Sequence, residues 1–199
     1  MKLVLSGTVG VGKSTLAAAL GEHFDLPLID EYFDDFFDLR RLAEKSADVW
    51  REEFLAIFRH KSALEDEHQQ FVADRCAIDL LHYWCHRGLE HRLGRETNRA
   101  FFAACMQRIK AYDYVILLPW GGLALQQVEG DRQKKVGRNF NPFVRLKHHA
   151  AITGFAHVVM DKRRIIEVPV AVAELQQRLD FVCATIARRE ALIAGRGAS

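Results

Sequence analysis

Residues 3–15 read Leu3-Val4-Leu5-Ser6-Gly7-Thr8-Val9-Gly10-Val11-Gly12-Lys13-Ser14-Thr15, and this stretch decides the fold. Leu3 to Leu5 is a short apolar run of the kind that makes a strand buried on both faces, closed by Ser6 and Gly7. Gly7 to Ser14 matches G-x-x-x-x-G-K-S/T, and from Gly12 the run Lys-Ser-Thr-Leu-Ala-Ala-Ala-Leu is strongly helix-forming, ending near Phe24. Strand, glycine-rich turn and helix in that order let backbone N–H groups wrap a phosphate at a helix N-terminus, whose dipole favours anions. Gly7, Thr8, Val9, Gly10, Val11, Gly12, Lys13, Ser14 and Thr15 are therefore expected to hold a nucleoside triphosphate. Lys13 would reach its β- and γ-phosphates, and the Ser14 hydroxyl would ligate Mg²⁺. A glycine turn that binds nothing is the bland alternative, and the strand and helix flanking it argue against that.

Working outward, short apolar runs at 26–29, 71–73, 114–118 and 164–168 read as four further strands. Helical segments alternate with them: 34–69 in two pieces, then 77–87, 96–110, 143–158 and 172–194. In the second piece of 34–69, Val49, Trp50, Phe54, Ile57 and Phe58 recur at three- and four-residue spacings, one apolar face of an amphipathic helix. Strands alternating with helices argue for a parallel sheet covered on both faces. No repeat or linker interrupts the 199 residues, so one domain is expected.

Composition narrows the classes. With 49% hydrophobic residues, the chain is too apolar to be disordered, and 13 Gly and 4 Pro exclude collagen-like repeats. Lys+Arg 28 against Asp+Glu 26 leaves a formal charge of +2, which disfavours nucleic acid as the main partner. Cys76, Cys85, Cys105 and Cys183 show no C-x-x-C spacing and read as reduced thiols of a cytoplasmic protein. The apolar run at the N-terminus is too short for a signal peptide, and no stretch of about 18 apolar residues spans a membrane.

Three further constellations carry chemistry. Phe71-Val72-Ala73-Asp74-Arg75 ends a strand on a carboxylate, which can hold the hydration shell of Mg²⁺. Asp74 could instead cap the helix that follows. The strand 114–118 offers no acid at its end, which favours the metal role. Arg75 would then enter the same cleft and clamp a substrate or a transferring phosphate. Asp30 and Glu31 end the second strand, and in an open parallel sheet ligands sit beyond such ends. Either carboxylate could accept the proton of an attacking hydroxyl, or both could serve the acidic start of a helix. Finally, Arg132, Lys134, Lys135, Arg138, Arg145 and Lys147 form a stretch with no acid from 132 to 149. The segment 119–141 is expected to be a mobile basic lid, with Arg132 and Arg138 folding over the phosphates. A solvated basic surface is the alternative.

Other features weigh less. His82 and His86 sit four apart on a helix but lack the pattern of a zinc site. His148 and His149 read as surface residues, and Phe33, Phe36 and Phe37 as core.

Taken together these residues resemble the small P-loop kinase superfamily that contains nucleoside and nucleotide kinases. Within it the chain looks most similar to the AAA-domain family of the NadR and nicotinamide-riboside-kinase type. The residues carrying the likeness are the phosphate loop, Asp30-Glu31-Tyr32, Asp74-Arg75 with Asp79 downstream, and the basic lid. Cys76 stands where those kinases more often have Ser, Tyr or Gly, Asp30-Glu31-Tyr32-Phe33 lacks their glutamate-x-tryptophan, and the lid has no repeated R-x-R. The resemblance implies a loop after the last strand, Val168-Pro169-Val170, beside the adenine.

The expectation is a three-layer α/β/α domain over residues 1–199, with a five-stranded parallel sheet in the order 2-3-1-4-5. Its function would be ATP- and Mg²⁺-dependent phosphoryl transfer to a small acceptor, a nucleoside or nucleotide first. Lys13, Asp30 or Glu31, Arg75, Arg132 and Arg138 would be the catalytic set, with Ser14 and Asp74 holding the metal. A homodimer is compatible with the sequence. The rival from another class is a regulatory module that hydrolyses slowly and signals to a macromolecule; the absence of N-K-x-D disfavours a guanine-specific form.

Overall fold

The computed structural model describes residues 1–37, 45–121 and 141–196. Strands β1 (Lys2–Ser6), β2 (Leu28–Ile29), β3 (Phe71–Asp74), β4 (Tyr114–Leu117) and β5 (Ile165–Glu167) form a parallel sheet in the order β2-β3-β1-β4-β5, as expected. Helices α1 (Lys13–Phe24), α2 (Phe33–Phe36), α3 (Ala47–Glu67), α4 (Ala77–His86), α5 (Leu89–Arg92), α6 (Arg95–Ala111), α7 (Pro142–Val159) and α8 (Leu175–Arg196) connect and cover it.

Side chains alternate along each strand, so the sheet divides the core in two. Val4, Ile29, Phe71, Ala73, Val115, Leu117 and Ile165 pack with Phe54, Ile78, Ile109 and Ile152 of α3, α4, α6 and α7. Leu3, Leu5, Val72, Tyr114, Ile116 and Ile166 pack with Leu16, Leu20, Val182 and Ile186 of α1 and α8. Burial on both faces is why the strands read as unbroken apolar runs rather than alternating ones.

All five strands run the same way, so their C-terminal ends share one edge. The registers Leu5↔Asp74 and Ile29↔Ala73 align those ends. The segments that leave this edge are Gly7 onward, Asp30-Glu31, Asp74-Arg75 and Leu118-Pro119. The fold thereby brings the glycine turn, Asp30, Glu31, Asp74 and Arg75, all singled out by the sequence, to one edge.

Some boundaries differ from the sequence expectation. β2 has only two residues where four were expected, although the Pro27 carbonyl still accepts from the Val72 amide at 2.9 Å. The connection before α6 contains the short helix α5. Residues 38–44 and 122–140 lie outside the described residues, and with them Arg132, Lys134, Lys135 and Arg138. The four cysteines are free thiols. Among the described residues no helix is long and apolar enough to cross a membrane.

Candidate active site

Between β1 and α1 the chain turns through left-handed backbone at Gly10 (φ 74) and Gly12 (φ 87). A side chain would be strained at both, and a Cβ would also lie 3.1 Å from a guanidinium in each case, Arg145 at Gly10 and Arg178 at Gly12. Gly12 caps α1 without any side-chain hydrogen bond, which leaves the first-turn amides available to an anion. Lys13 is buried against this loop and donates from Nζ to the Thr8 carbonyl at 2.9 Å. Burial, and then the charge of Arg75, lowers its pKa to about 8, against the pull of Asp74, Glu31 and Asp79. An arriving phosphate would supply the negative charge that the buried ammonium favours.

The register of β3 beside β1 sets Asp74 against the start of α1. The Ser14 hydroxyl donates to Asp74 Oδ2 at 2.5 Å. Asp74 Oδ1 is buried with no hydrogen-bond partner among the described residues. An orphaned carboxylate oxygen beside a hydroxyl, with phosphate amides adjacent, is a donor set suited to a hard divalent cation such as Mg²⁺. Among the described residues no group of three or more His, Cys, Asp or Glu could hold a metal alone. A cation bound here would therefore need nucleotide oxygens and water as well.

On the opposite side Asp30 is exposed and Glu31 half-buried. Glu31 Oε2 lies 3.5 Å from Arg75 Nε, and Arg75 Nη1 donates to Asp79 Oδ1 at 3.1 Å. The Arg75 guanidinium also sits 4.9 Å from the Phe33 ring and 5.6 Å from the Tyr83 ring. Asp79 accepts from the Cys76 amide at 3.0 Å, so it opens α4 and holds Arg75 at once. Arg75 has φ 65, in the left-handed region that non-glycine residues rarely occupy, and so does Tyr32 with φ 55. Strained backbone at both strand ends is a mark of a site held by its surroundings. Beyond β5, Val170 is exposed, and a Cβ on Gly121 would lie 3.9 Å from its side chain.

The sequence pattern of the family described as AAA domain matches residues 2–161. The chain belongs to the AAA domain family. No curated protein shows significant sequence similarity to it. Deoxyadenosine kinase from M. mycoides with bound dCTP superposes with TM-score 0.70 at 11% identity, over 94% of this chain and 100% of that one. Thymidylate kinase from Candida albicans gives TM-score 0.53 at 14% identity, over 94% and 91% of the two chains. Shikimate kinase from Acinetobacter baumannii, in complex with shikimate, gives 0.51 at 17%, over 92% and 93%. At these identities the likeness establishes the fold, that of the P-loop kinase-like superfamily.

Arg178 and Lys61 of this AAA-domain chain escaped the sequence reading, which took Arg145 only as part of the basic stretch. Arg145 of α7 donates to the Val9 carbonyl at 2.7 Å, and Arg178 of α8 donates to the Val11 carbonyl at 2.7 Å. Both guanidiniums brace the outward carbonyls of the phosphate loop. Lys61 of α3 donates to the carbonyls of Asp30 and Asp74. His148, expected at the surface, is instead buried, with its Nδ1 2.6 Å from His82 Nε2. The rings of His86 and Tyr83 pack on the same pair, joining α4 to α7. Burial, chiefly, lowers the pKa of both His82 and His148 to about 3, so the pair is neutral at pH 7. The signal was there as periodicity: Arg145, His148, Ile152 and Ala156 share the buried stripe of α7, and Ile57, Lys61 and Glu65 that of α3. Polar residues on an apolar stripe need partners from another element.

Proposed function

We propose that the chain transfers the γ-phosphoryl group of ATP, with Mg²⁺, to a small hydroxyl- or phosphate-bearing acceptor, a nucleoside or nucleotide first. The observation that carries this reading is the Glu31–Arg75 pair, walled by Phe33 and Tyr83 and close enough to Lys13 to shift its pKa. A switch that transfers phosphate only to water has no use for a half-buried carboxylate held by a buried guanidinium beside two aromatic rings. A small organic acceptor does, since the carboxylate offers it a proton acceptor and the guanidinium a positive charge.

In this reading Lys13 and the loop amides hold the β- and γ-phosphates. Ser14 and Asp74 hold Mg²⁺, which when bound neutralises phosphate charge. Glu31 takes the attacking proton or aims the hydroxyl, because it, rather than the exposed Asp30, is held by Arg75. Arg75 fixes the Glu31 carboxylate and faces the charge of the transferring group. Arg132 and Arg138, from the basic segment 119–141, complete the clamp, and residues 1–199 act as one domain. The deoxyadenosine kinase with bound dCTP supports a nucleoside as the first acceptor class to try.

The test is ATP consumption by the wild type and K13A across a panel of nucleosides, nucleotides, sugars and shikimate. One acceptor class is expected to stimulate turnover, and K13A to abolish it. Turnover that ignores every small acceptor and responds only to a macromolecule would support the regulatory reading instead.

A further inference from the structure

Lys61 lies midway along α3 with 3% of its surface exposed, and its ammonium has left the helix face for the sheet edge. Nζ donates to the Asp30 carbonyl at 2.7 Å and to the Asp74 carbonyl at 2.9 Å. The ladder between β2 and β3 pairs Leu28 with Val72 and Ile29 with Ala73, and there it stops. Asp30 and Asp74 are the next positions in that register. At this point the backbone breaks away from strand geometry, with Tyr32 and Arg75 both in the left-handed region. Two carbonyls, the one of Asp74 buried and the one of Asp30 part-buried, are served by one side chain just beyond the last paired rung.

This rung joins the two halves of the chemistry. Asp30 precedes Glu31, and Asp74 carries the oxygens facing Ser14 and precedes Arg75. The charge of Glu65 favours the Lys61 ammonium. Glu65, one turn on, accepts from the Tyr112 hydroxyl at 3.0 Å, and Tyr112 Oη also accepts from the Ala77 amide at the start of α4. The ammonium therefore sits at the end of a polar row running beneath α3 to both strand ends.

Resting on the phosphoryl-transfer reading, we propose that Lys61 is a positioning residue, holding the metal-side Asp74 and the acceptor-side Glu31 in register by bridging the carbonyls at the ends of β2 and β3. It touches neither ATP nor acceptor. Its effect passes through the placement of Asp74 and Glu31.

The test uses the full chain as wild type, K61M, K61Q and K61R. ATP affinity is measured by calorimetry with Mg²⁺ and again with EDTA, well below each variant's melting temperature. In K61M and K61Q, MgATP binding should weaken by about tenfold or more, as for lost outer-sphere partners of a metal site. Metal-free ATP, held by the loop alone, should keep its affinity. K61R keeps the charge and the donors and should recover most of the loss. Should K61M not fold, K61Q and K61R carry the same comparison, with hydrogen exchange at residues 30–32 and 74–76 expected to quicken in K61Q only.

A role in anchoring α3 alone would lower the melting temperature and leave the ratio of the two affinities at its wild-type value; that result overturns the proposal. A wild type whose ATP affinity is unaffected by Mg²⁺ would overturn it too, by removing the metal site it serves. Failure of the wild type to bind ATP at all would instead sink the functional reading on which it rests.

Discussion

On the side proposed for the nucleotide, residues 7–12 form one contiguous loop running into the first turn of α1, and its working groups would be mostly backbone amides. On the side proposed for the acceptor, Glu31, Phe33, Arg75, Asp79 and Tyr83 arrive from the ends of β2 and β3 and from α2 and α4, and their working groups would be side chains. The first kind of site follows from local sequence, because glycine torsions and a helix start suffice to make it. The second exists only when the sheet brings distant residues together, and it needs supports that are themselves distant. Lys61, Tyr112 and the His82–His148 pair lie beneath or beside it. The nucleotide side has supports as well, in Arg145 and Arg178, but they touch its outward carbonyls and leave its amides alone.

The comparison breaks first at its two working centres. Replacing Lys13 with alanine should cost roughly a thousandfold in kcat, the order expected for loss of a preorganised donor to the transferring group. E31Q should cost about a hundredfold as loss of a positioned proton acceptor, with ATP affinity unchanged. D30N, at the exposed neighbour, should stay near wild type; the reverse ranking in steady-state kinetics would move the acceptor carboxylate to Asp30.

Smaller effects sharpen it. G10A places a side chain on left-handed backbone, at a cost of about 1–2 kcal/mol, and pushes on Arg145. Its melting temperature should fall by several degrees, and its ATP affinity with it, while its acceptor KM stays unchanged. The smallest test is pH. His82 and His148 titrate near 3 when folded and near 6.5 when unfolded, so between those values the unfolded chain binds more protons. Stability should therefore fall as pH drops below about 6.5 and recover above it. H148N should be less stable at pH 7 but show a shallower decline in melting temperature from pH 6.5 to pH 5. An equal slope in both proteins would contradict the buried neutral pair.

The parallel sheet and the glycine turn before α1 were legible in the sequence, because each rests on short-range pattern: apolar runs for strands covered on both faces, glycines at a fixed spacing, and a helix start behind them; the strand order came with the family resemblance. Asp74 and Arg75 could be placed by the same means, as the residues at which an apolar run stops. The supports could not, since Lys61, His148 and Arg178 have no local motif, and Arg145 stood out only by its charge in the basic stretch. A lysine on an apolar helical stripe announces that a partner exists but not which carbonyl it will reach. His148 was misread for the same reason: beside His149 it looks like solvated surface, and only its spacing to Ile152 and Ala156 places it inside. The proposed choice of Glu31 over Asp30 also rests on three dimensions, since it depends on which carboxylate faces Arg75.

The central claim is that the phosphoryl group leaves ATP for an organic acceptor held on the Glu31–Arg75 side. The most direct measurement follows the label from ATP carrying a marked γ-phosphate, incubated with Mg²⁺, the full chain and a mixture of nucleosides and nucleotides. Label covalently bound to one acceptor class is expected, formed roughly a thousandfold more slowly with K13A. Label released only as inorganic phosphate, at a rate that no acceptor alters, would contradict it.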